Sequence, residues 1–461
     1  MKTLLLRLPN DVYKFSGIMH PYSLAIISAV LKRSRKNVVL YDAAIYRLDQ
    51  KRTIEYVLNL RPDILGVTVM TQHLPATTGF LKRIKGLLPD LIVVAGGPHI
   101  TADHRNLLEK NKEIDICVIG EGEYTMLEII NSLENKMSLE AVQGISYRTA
   151  GQVRTSPSRD YIRDLDSLPF ADWGSLPMEK YTDAITVKKN YGGIVASRGC
   201  PFSCTFCGAK TVLGSGARVR SAANVLDEIE LLYDKYRVRQ ILFHDSTLNL
   251  NNQWVNEICE GILKMGKPLL WGCNLRTENL NIETLKLMKR SGCIKVFVGV
   301  ESADNEVLKK MRKGTTIERI ESGLRMIERA GLPTDYGFIL GMPGETEESM
   351  EKSIAFAKRL KGISTFSLAS PFPGTELYEI ARGEGYLVDD WSKRSLYTLA
   401  YLPNGLKRMQ LEHYYQLAVK STYLRPRFLL KQILQLRSFL SLKIALRSAY
   451  RIFCSRLIKF K

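Results

Sequence analysis

The chain has 461 residues, of which 45% are hydrophobic and 25% are charged, a composition that fits a folded protein of two or three domains and excludes a disordered or fibrous chain. Its net charge of +19 is uneven, because residues 405–461 carry thirteen lysines and arginines against one acid, Glu412, and the mildly basic remainder argues against general nucleic-acid binding. The cysteines show no paired spacing and the sequence shows no secretory signal, which predicts a cytoplasmic protein with reduced thiols. No apolar run reaches about 18 residues, so we expect no helix that spans a membrane.

Short apolar runs alternate with helical periodicity over residues 1–135. The runs predict strands at residues 3–8, 38–41, 64–70, 91–95 and 116–119, and the periodicity predicts helices at residues 22–32, 53–60, 76–87, 104–109 and 125–133. Strands and helices that alternate in this way form a parallel sheet covered on both faces. We therefore predict an α/β fold that begins with a Rossmann-like, flavodoxin-like domain over residues 1–135. Its ligand site is expected at the carboxyl ends of the strands.

Three segments follow strands of this domain and contain residues suited to a ligand site. They are Met-Thr-Gln-His at 70–73, Gly-Gly-Pro-His-Ile-Thr at 96–101 and Gly-Glu-Gly-Glu at 120–123. Paired glycines let a flat or phosphorylated ligand approach the backbone closely, although one such pair is common in ordinary strand–helix turns. Residues 136–190 then predict a connector, which contains a hairpin that turns at Gly151 and several prolines that interrupt helical structure.

Three cysteines stand at C-x3-C-x2-C spacing directly after the apolar run at residues 193–196: Cys200, Cys204 and Cys207. Thiolates this close in sequence can hold three corners of a cubane iron–sulfur cluster. Because such clusters normally take four cysteine ligands, one iron would remain open to a ligand that is not protein. The alternatives are a structural zinc site and three unrelated thiols. A structural zinc ion needs four protein ligands, usually in two C-x2-C pairs, and the sequence offers no second pair.

The alternation of strands and helices resumes after the cysteine loop and continues to about residue 380. Strands are predicted at residues 193–197, 240–244, 269–274, 294–300, 334–340 and 365–369, and helices at residues 223–236, 253–265, 282–290, 316–330 and 348–360. Six such units with right-handed crossovers form a curved, partly open (β/α)6 barrel of the TIM type over residues 191–380. The active site of such a barrel lies at the carboxyl ends of its strands.

Residues 381–461 are predicted to form a C-terminal helical region. A first helix is expected at residues 410–423. From residue 427 onward, leucine, isoleucine and phenylalanine recur at helical spacing and are interrupted by lysine and arginine. This pattern is typical of a basic amphipathic helix that lies on an anionic membrane surface. The alternatives are a helix packed on the barrel with its charged face in water and, less in keeping with the few aromatics, an RNA-binding arm.

The cysteine loop, with Phe206 before its last cysteine, resembles the signature of the radical S-adenosylmethionine (SAM) superfamily. That resemblance implies that Cys200, Cys204 and Cys207 hold a [4Fe–4S] cluster whose open iron binds SAM through its amino and carboxylate groups. One electron, delivered by a flavodoxin or ferredoxin, then splits SAM to give a 5′-deoxyadenosyl radical. The polar residues at successive barrel strand ends are similar to SAM contacts of the family: Asp245 for the ammonium group, Arg276 for the carboxylate, and Glu301 with Ser302 for the ribose.

Residues 1–135 resemble the cobalamin-binding domain that precedes many radical SAM barrels, since Gly-Gly-Pro-His-x-Thr and Gly-Glu-Gly-Glu are typical of it. The resemblance implies that Gly96 and Gly97 approach cobalamin, and that Gln72 or His73 faces the lower side of the corrin. The chain departs from the D-x-H-x-x-G pattern, whose histidine ligates cobalt in mutases. Many radical SAM relatives lack that histidine and still bind cobalamin, whereas others have lost the cofactor.

These observations predict a radical SAM enzyme that functionalises an unactivated carbon, with cobalamin-dependent C-methylation of a small molecule or lipid as the leading interpretation. Cyclisation, C–C coupling or oxidative rearrangement without cobalamin is the alternative. A methylthiotransferase acting on transfer RNA would need three further cluster cysteines before the barrel, and Cys117 is the only cysteine before Cys200. A cobalamin sensor without catalysis would not require a complete barrel with its cysteine loop.

Overall fold

The computed structural model describes residues 1–9, 18–183 and 186–423. Its N-terminal unit is a sheet with helices on both faces. The strands are β1 (Lys2–Arg7), β2 (Asn37–Asp42), β3 (Ile64–Thr68), β4 (Ile92–Gly96) and β5 (Ile116–Val118), and the helices are α1 (Tyr22–Arg33), α2 (Gln50–Leu60), α3 (Leu74–Leu87), α4 (Pro98–Lys110) and α5 (Glu123–Glu134). The five strands are parallel, in the order β2-β1-β3-β4-β5, as the sequence predicts.

A hairpin extends this sheet beyond β5. Strands β6 (Ile145–Thr149) and β7 (Gln152–Thr155) pair with each other, and β6 pairs with β5, all in antiparallel fashion. The two-residue turn, Ala150-Gly151, has positive φ at both positions, as primed hairpin turns require. The hairpin predicted to turn at Gly151 is therefore present, and it extends the first sheet rather than standing apart from it.

The segment after the hairpin packs against both parts of the molecule. Asp172 accepts a hydrogen bond from Ser28 Oγ (2.7 Å), and the Tyr181 hydroxyl donates to Asp42 (2.8 Å). On the other side, the buried indole of Trp173 donates to Glu228 (2.9 Å), which lies in the second unit. One hydrophobic core continues from the first sheet through this segment into the second unit.

The second unit is a partial barrel. Its strands are β8 (Tyr191–Ile194), β9 (Ser197–Arg198), β10 (Arg218–Val219), β11 (Gln240–Phe243), β12 (Leu270–Leu275), β13 (Cys293–Glu301), β14 (Thr334–Leu340) and β15 (Ser364–Leu368), and its helices are α6 (Ala209–Leu213), α7 (Ala222–Tyr236), α8 (Asn252–Lys264), α9 (Ile282–Arg290), α10 (Asn305–Lys310), α11 (Ile317–Arg329), α12 (Glu347–Arg359) and α13 (Glu376–Gly383). Six strands lie parallel in the order β8-β11-β12-β13-β14-β15, which confirms the predicted (β/α)6 arrangement.

Polar residues fix where the barrel helices begin. The side chains of Ser221, Asn251, Asn281, Thr316 and Thr346 accept backbone N–H bonds at the first turns of α7, α8, α9, α11 and α12. These caps satisfy donors that have no partner within the helix. They fix the helix starts, and with them the strand ends that form the barrel mouth.

The chain after the barrel contains a short pair of strands, β16 (Tyr386–Leu387) and β17 (Tyr401–Leu402), and helix α14 (Arg408–Tyr423). Helix α14 packs on the barrel: the Tyr414 hydroxyl donates to Glu351 (2.7 Å), and the Thr422 hydroxyl donates to the Ser364 carbonyl (2.8 Å). In the described part of the chain, no helix has the length and apolar character needed to cross a membrane. The predicted basic amphipathic helix falls at residues 424–461, outside the described residues.

Candidate functional site

The cysteine loop is held at its start and in its middle by backbone contacts. Before it, β9 pairs with β10, and Cys200 forms an isolated bridge with Ser215. Gly199 has φ +86°, and a Cβ there would lie 2.1 Å from the carbonyl oxygen of Gly216, so only glycine fits. Within the loop, Thr205 N donates to the Met311 carbonyl (2.9 Å). The loop therefore has a fixed position against the barrel mouth.

All three cysteines of the loop line one cavity of about 700 Å³ at the carboxyl ends of the barrel strands. They are free thiols. Among the described residues, no three histidine, cysteine or carboxylate side chains are placed to share a single metal ion. A cubane cluster binds each thiolate through a different iron, so three cysteines around a common cavity fit a cluster better than a zinc ion.

Arg276 lines the same cavity and is fixed on every side. Its Nε donates to Glu278 (3.0 Å), one terminal nitrogen lies 3.6 Å from Cys204 Sγ, and the other donates to the carbonyl of Lys313. Its guanidinium also stacks on the ring of Phe202, 3.7 Å from the ring centroid. Only 9% of the residue is exposed. A planar cation with this orientation beside a cysteine matches a carboxylate held next to the cluster.

Glu301 also lines the cavity, in a strained backbone conformation. Its φ is +67°, which is unusual for a residue with a side chain, and the register between β13 and β14 shifts between Gly299 and Glu301. Its carboxylate accepts a hydrogen bond from Lys313 Nζ (2.7 Å) and lies over Gly299, where a Cβ would be 2.2 Å from the carboxylate oxygen. Strain of this kind collects at functional sites.

Two predicted SAM contacts do not line this cavity. Asp245 is buried, and its carboxylate accepts bonds from the Ser197 hydroxyl and from Ala196 N; burial raises its pKa to about 6. Ser302 is also buried and accepts a bond from Asp304 N (3.2 Å). The structure therefore gives both side chains internal partners, and the residue after β11 that lines the cavity is Ser246.

A second cleft of about 390 Å³ lies between the first sheet and the barrel. Its wall contains apolar side chains of α1 and α5, a glycine in the middle of β3, and glycines at the carboxyl ends of β4 and β5. These glycines are Gly66, Gly96, Gly97, Gly120 and Gly122. At Gly97, φ is +101° and a Cβ would lie 2.7 Å from Thr68 Oγ1. At Gly120, the space next to the backbone is open. An apolar cleft with exposed backbone suits a flat, amide-rich cofactor such as cobalamin.

The structure places Gln72 and His73 outside this cleft. Residues Thr71–His73 form a short 3₁₀ turn in which the Gln72 amide contacts the His73 ring (3.1 Å), and the turn packs near Trp391–Lys393. Burial lowers the pKa of His73 to about 4. The residue after β3 that lines the cleft is Met70.

The two cavities adjoin. Ser246 lines both of them, and helix α6 separates them, since Lys210 and Thr211 face the cysteine cavity whereas Val212 and Leu213 face the cleft. Sequence reasoning missed Ser246 and Lys313. Ser246 follows β11 by three residues, so the expectation that site residues follow the barrel strands points to its segment but does not choose it over Asp245. Lys313 lies in a turn after α10 that carries no comparable signal.

Comparisons with known proteins agree with this geometry. A family model described as the Radical SAM superfamily matches residues 194–357, and a model described as a B12 binding domain matches residues 11–130. An uncharacterized methyltransferase of Pyrococcus horikoshii is 32% identical over 439 residues, 94% of each chain. An anaerobic magnesium-protoporphyrin IX monomethyl ester cyclase of Rubrivivax gelatinosus is 29% identical over 86% of this chain and 72% of its own.

Among solved structures, the radical SAM methyltransferase TsrM of Kitasatospora setae, determined with cobalamin and a [4Fe–4S] cluster, has the same fold. It superposes with a TM-score of 0.72 at 19% identity, over 93% of this chain and 90% of its own.

Proposed function

The chain belongs to the radical SAM superfamily and carries a B12-binding domain in front of its barrel, and we propose that it methylates an unactivated carbon of its substrate. As a member of this superfamily with a B12-binding domain, it is an enzyme that uses a [4Fe–4S] cluster, SAM and cobalamin. The observation that carries the proposal is the contact between the two cavities. The cysteine-lined cavity and the glycine-lined cleft share Ser246 and are separated only by the five-residue helix α6. If the cleft holds cobalamin and the cysteine cavity holds the cluster with SAM, the methyl donor and the site of radical formation would lie in adjoining cavities.

Different residues of the chain serve the two cavities. When bound, the cluster supplies the electron that cleaves SAM, and cobalamin supplies the methyl group. Cys200, Cys204 and Cys207 hold the cluster. Arg276 orients the carboxylate of SAM, because its guanidinium already lies beside Cys204 Sγ, and Glu301 accepts bonds from the ribose hydroxyls.

Cobalamin is held in the cleft by the backbone around its glycines, chiefly Gly96, Gly97 and Gly120. Met70 lies at the end of β3, where it lines the cleft. Since a thioether is a weak ligand compared with an imidazole, the cobalt would have no strong protein ligand from this position.

The test measures both products of SAM in one assay. Anaerobically purified protein from cells grown with cobalamin should contain iron and cobalt, and with substrate it should form 5′-deoxyadenosine, which reports radical formation, and S-adenosylhomocysteine, which reports methyl donation. The relative that is a cyclase makes radical ring closure the second candidate. Deoxyadenosine without adenosylhomocysteine, in protein free of cobalt, would favour that candidate and reject methylation.

The proposal extends to the class of substrate, the location of the protein in the cell, its electron donor and its contact with a membrane. A small molecule or lipid substrate, a cytoplasmic location and a flavodoxin- or ferredoxin-type electron donor are consistent with the family. The basic residues at 424–461 support contact with an anionic membrane surface. Deletion of residues 427–461 should then abolish sedimentation with phosphatidylglycerol liposomes. Sedimentation equal to that of the full chain would refute the membrane contact.

A further inference from the structure

A buried ionic cluster joins the cysteine loop to the wall of the cobalamin cleft. Arg198 directly precedes Gly199 and Cys200. Its two terminal nitrogens donate to different carboxylates, one to Glu121 (2.9 Å) and the other to Glu123 (2.5 Å). All three side chains are at most 9% exposed, although they come from different units of the fold.

A second arginine completes the cluster. Arg218, on β10, donates to both oxygens of Glu121 (2.9 and 3.0 Å) and to the carbonyl of Ile162 (2.6 Å). Glu121 also accepts a bond from Ile162 N (2.7 Å). Because β9 and β10 pair through Arg198 and Arg218, both arginines that hold Glu121 belong to the strand pair from which the cysteine loop emerges.

The acidic partners lie on the cofactor side. Glu121 and Glu123 alternate with Gly120 and Gly122 along the segment that lines the cleft, and Arg198 lines the cleft with them. Glu123 is also the first residue of α5, where the helix dipole favours a negative charge. The segment that would contact cobalamin is thus bound to the side chain of Arg198, which lies two positions before Cys200.

We infer that Arg198 is a positioning residue that makes the hold on the iron–sulfur cluster depend on whether the cobalamin cleft is filled. This inference rests on the proposed function. A ligand packed against the segment at 120–123 would hold both carboxylates in place, and the forked guanidinium would pass that constraint to the backbone of Gly199 and Cys200. Gly199 is restricted by its φ of +86° and Cys200 by its bridge to Ser215. A lysine at 198 presents a single ammonium group and cannot span the two carboxylates in the same way.

The chain offers a matched control. Arg220 forms a similarly buried pair with Glu228 and lies two residues beyond Arg218, but both partners belong to the barrel. Arg220→Lys therefore perturbs a buried arginine–glutamate pair near the same loop without touching the segment at 120–123.

The experiment measures how fast a ferrous chelator removes iron from the anaerobically reconstituted full-length enzyme, with and without saturating hydroxocobalamin, whose occupancy is followed by absorbance. In the wild type and in Arg220→Lys, cobalamin should slow iron release about fivefold or more. In Arg198→Lys, the two rates should become equal at the same cobalamin occupancy. Glu123→Ala, which removes one arm of the fork, should lose most of the effect and replaces Arg198→Lys if that variant does not fold.

The ratio of the two rates separates the possible explanations. A purely structural role for Arg198 would speed iron release equally with and without cobalamin and leave the ratio unchanged, which would overturn the inference. Direct covering of the cluster by cobalamin would also preserve the ratio in Arg198→Lys and would overturn it. If the wild-type enzyme binds no cobalamin at all, the proposed function fails; if it binds cobalamin but the wild-type ratio is one, only the inference fails.

Discussion

Replacing Glu301 by glutamine tests the proposed SAM site most directly. The substitution keeps the size of the side chain and one carbonyl acceptor, but removes the charge that faces the cavity. Glu301 is held by a left-handed backbone and by Lys313 Nζ at 2.7 Å. Because these constraints aim the carboxylate before any ligand arrives, ribose hydroxyls would bind it without a reorganisation cost.

The size of the effect follows from the burial of the site. The Glu301 side chain is 12% exposed and that of Lys313 is 7% exposed, so bulk water screens their interactions weakly. A hydrogen bond to a charged group contributes about 1.5–3 kcal/mol, and each 1.4 kcal/mol changes an affinity about tenfold. Glu301→Gln should therefore raise the Kd for SAM by about 10- to 100-fold, measured by equilibrium dialysis on the enzyme with its cluster intact.

Two further variants separate ribose binding from the loss of an ion pair. Glu301→Gln leaves Lys313 as a buried cation without its carboxylate, and such stranded charges are costly in themselves. If stranding explains the weaker binding, the double variant with Lys313→Met should recover the wild-type Kd; if Glu301 binds SAM, it should not. Glu376→Gln, which removes an exposed partner of Arg312 on the same cavity, should change the Kd by no more than about twofold. A Kd for Glu301→Gln within that range would refute the assignment.

Three other outcomes follow from the structure. Cys204→Ala should lose cluster iron and all 5′-deoxyadenosine formation, whereas Cys117→Ala, in the first sheet, should retain both. Gly120→Ala and Gly266→Ala both place a side chain at positive φ in open space and should lose about 1–2 kcal/mol of stability each, but only Gly120→Ala should weaken cobalamin binding in an absorbance titration. Burial raises the pKa of Glu345 from 4.5 to about 8, so the stability that its protonated form contributes is present below pH 4.5 and is lost as the pH rises to 8. Between pH 5 and 8, Glu345→Gln should therefore become progressively more stable than the wild type, by up to about 5 kcal/mol in the free energy of unfolding. A difference in stability that does not change with pH would contradict this.

The barrel could be predicted closely because its local signals agree with one another. Strand Thr334–Leu340 and helix Ile282–Arg290 have the predicted ends. In both cases a periodic apolar pattern is bounded by a cap or a turn residue. The prediction failed where two signals conflicted. Helix α4 begins at Pro98 rather than at residue 104, because Gly-Gly-Pro suggests a turn although proline is favoured in the first turn of a helix.

The candidate site was predictable only as far as the strand-end rule reaches. That rule placed Arg276 and Glu301 at the barrel mouth, where both line the cysteine cavity. It could not decide which side chain after β11 faces the cavity, because successive residues of an extended chain point to opposite sides; Asp245 points into the protein, and Ser246 points out. Glutamates that bind arginines more than 70 positions away, such as Glu121 and Glu123, leave no periodic trace in the sequence.

The continuous core determines how the two cofactor cavities can work together. Leu5 and Met126 of the first unit and Tyr191 and Ile194 of the barrel belong to one buried cluster, together with Trp173 of the segment between them. Units joined only by a linker and a small polar interface are expected to move relative to each other. Here the shared core opposes such motion, and the path from the cleft to the cysteine cavity is therefore set by side-chain packing. The residues of α6 that line each cavity would therefore decide how far apart groups bound in the two cavities lie.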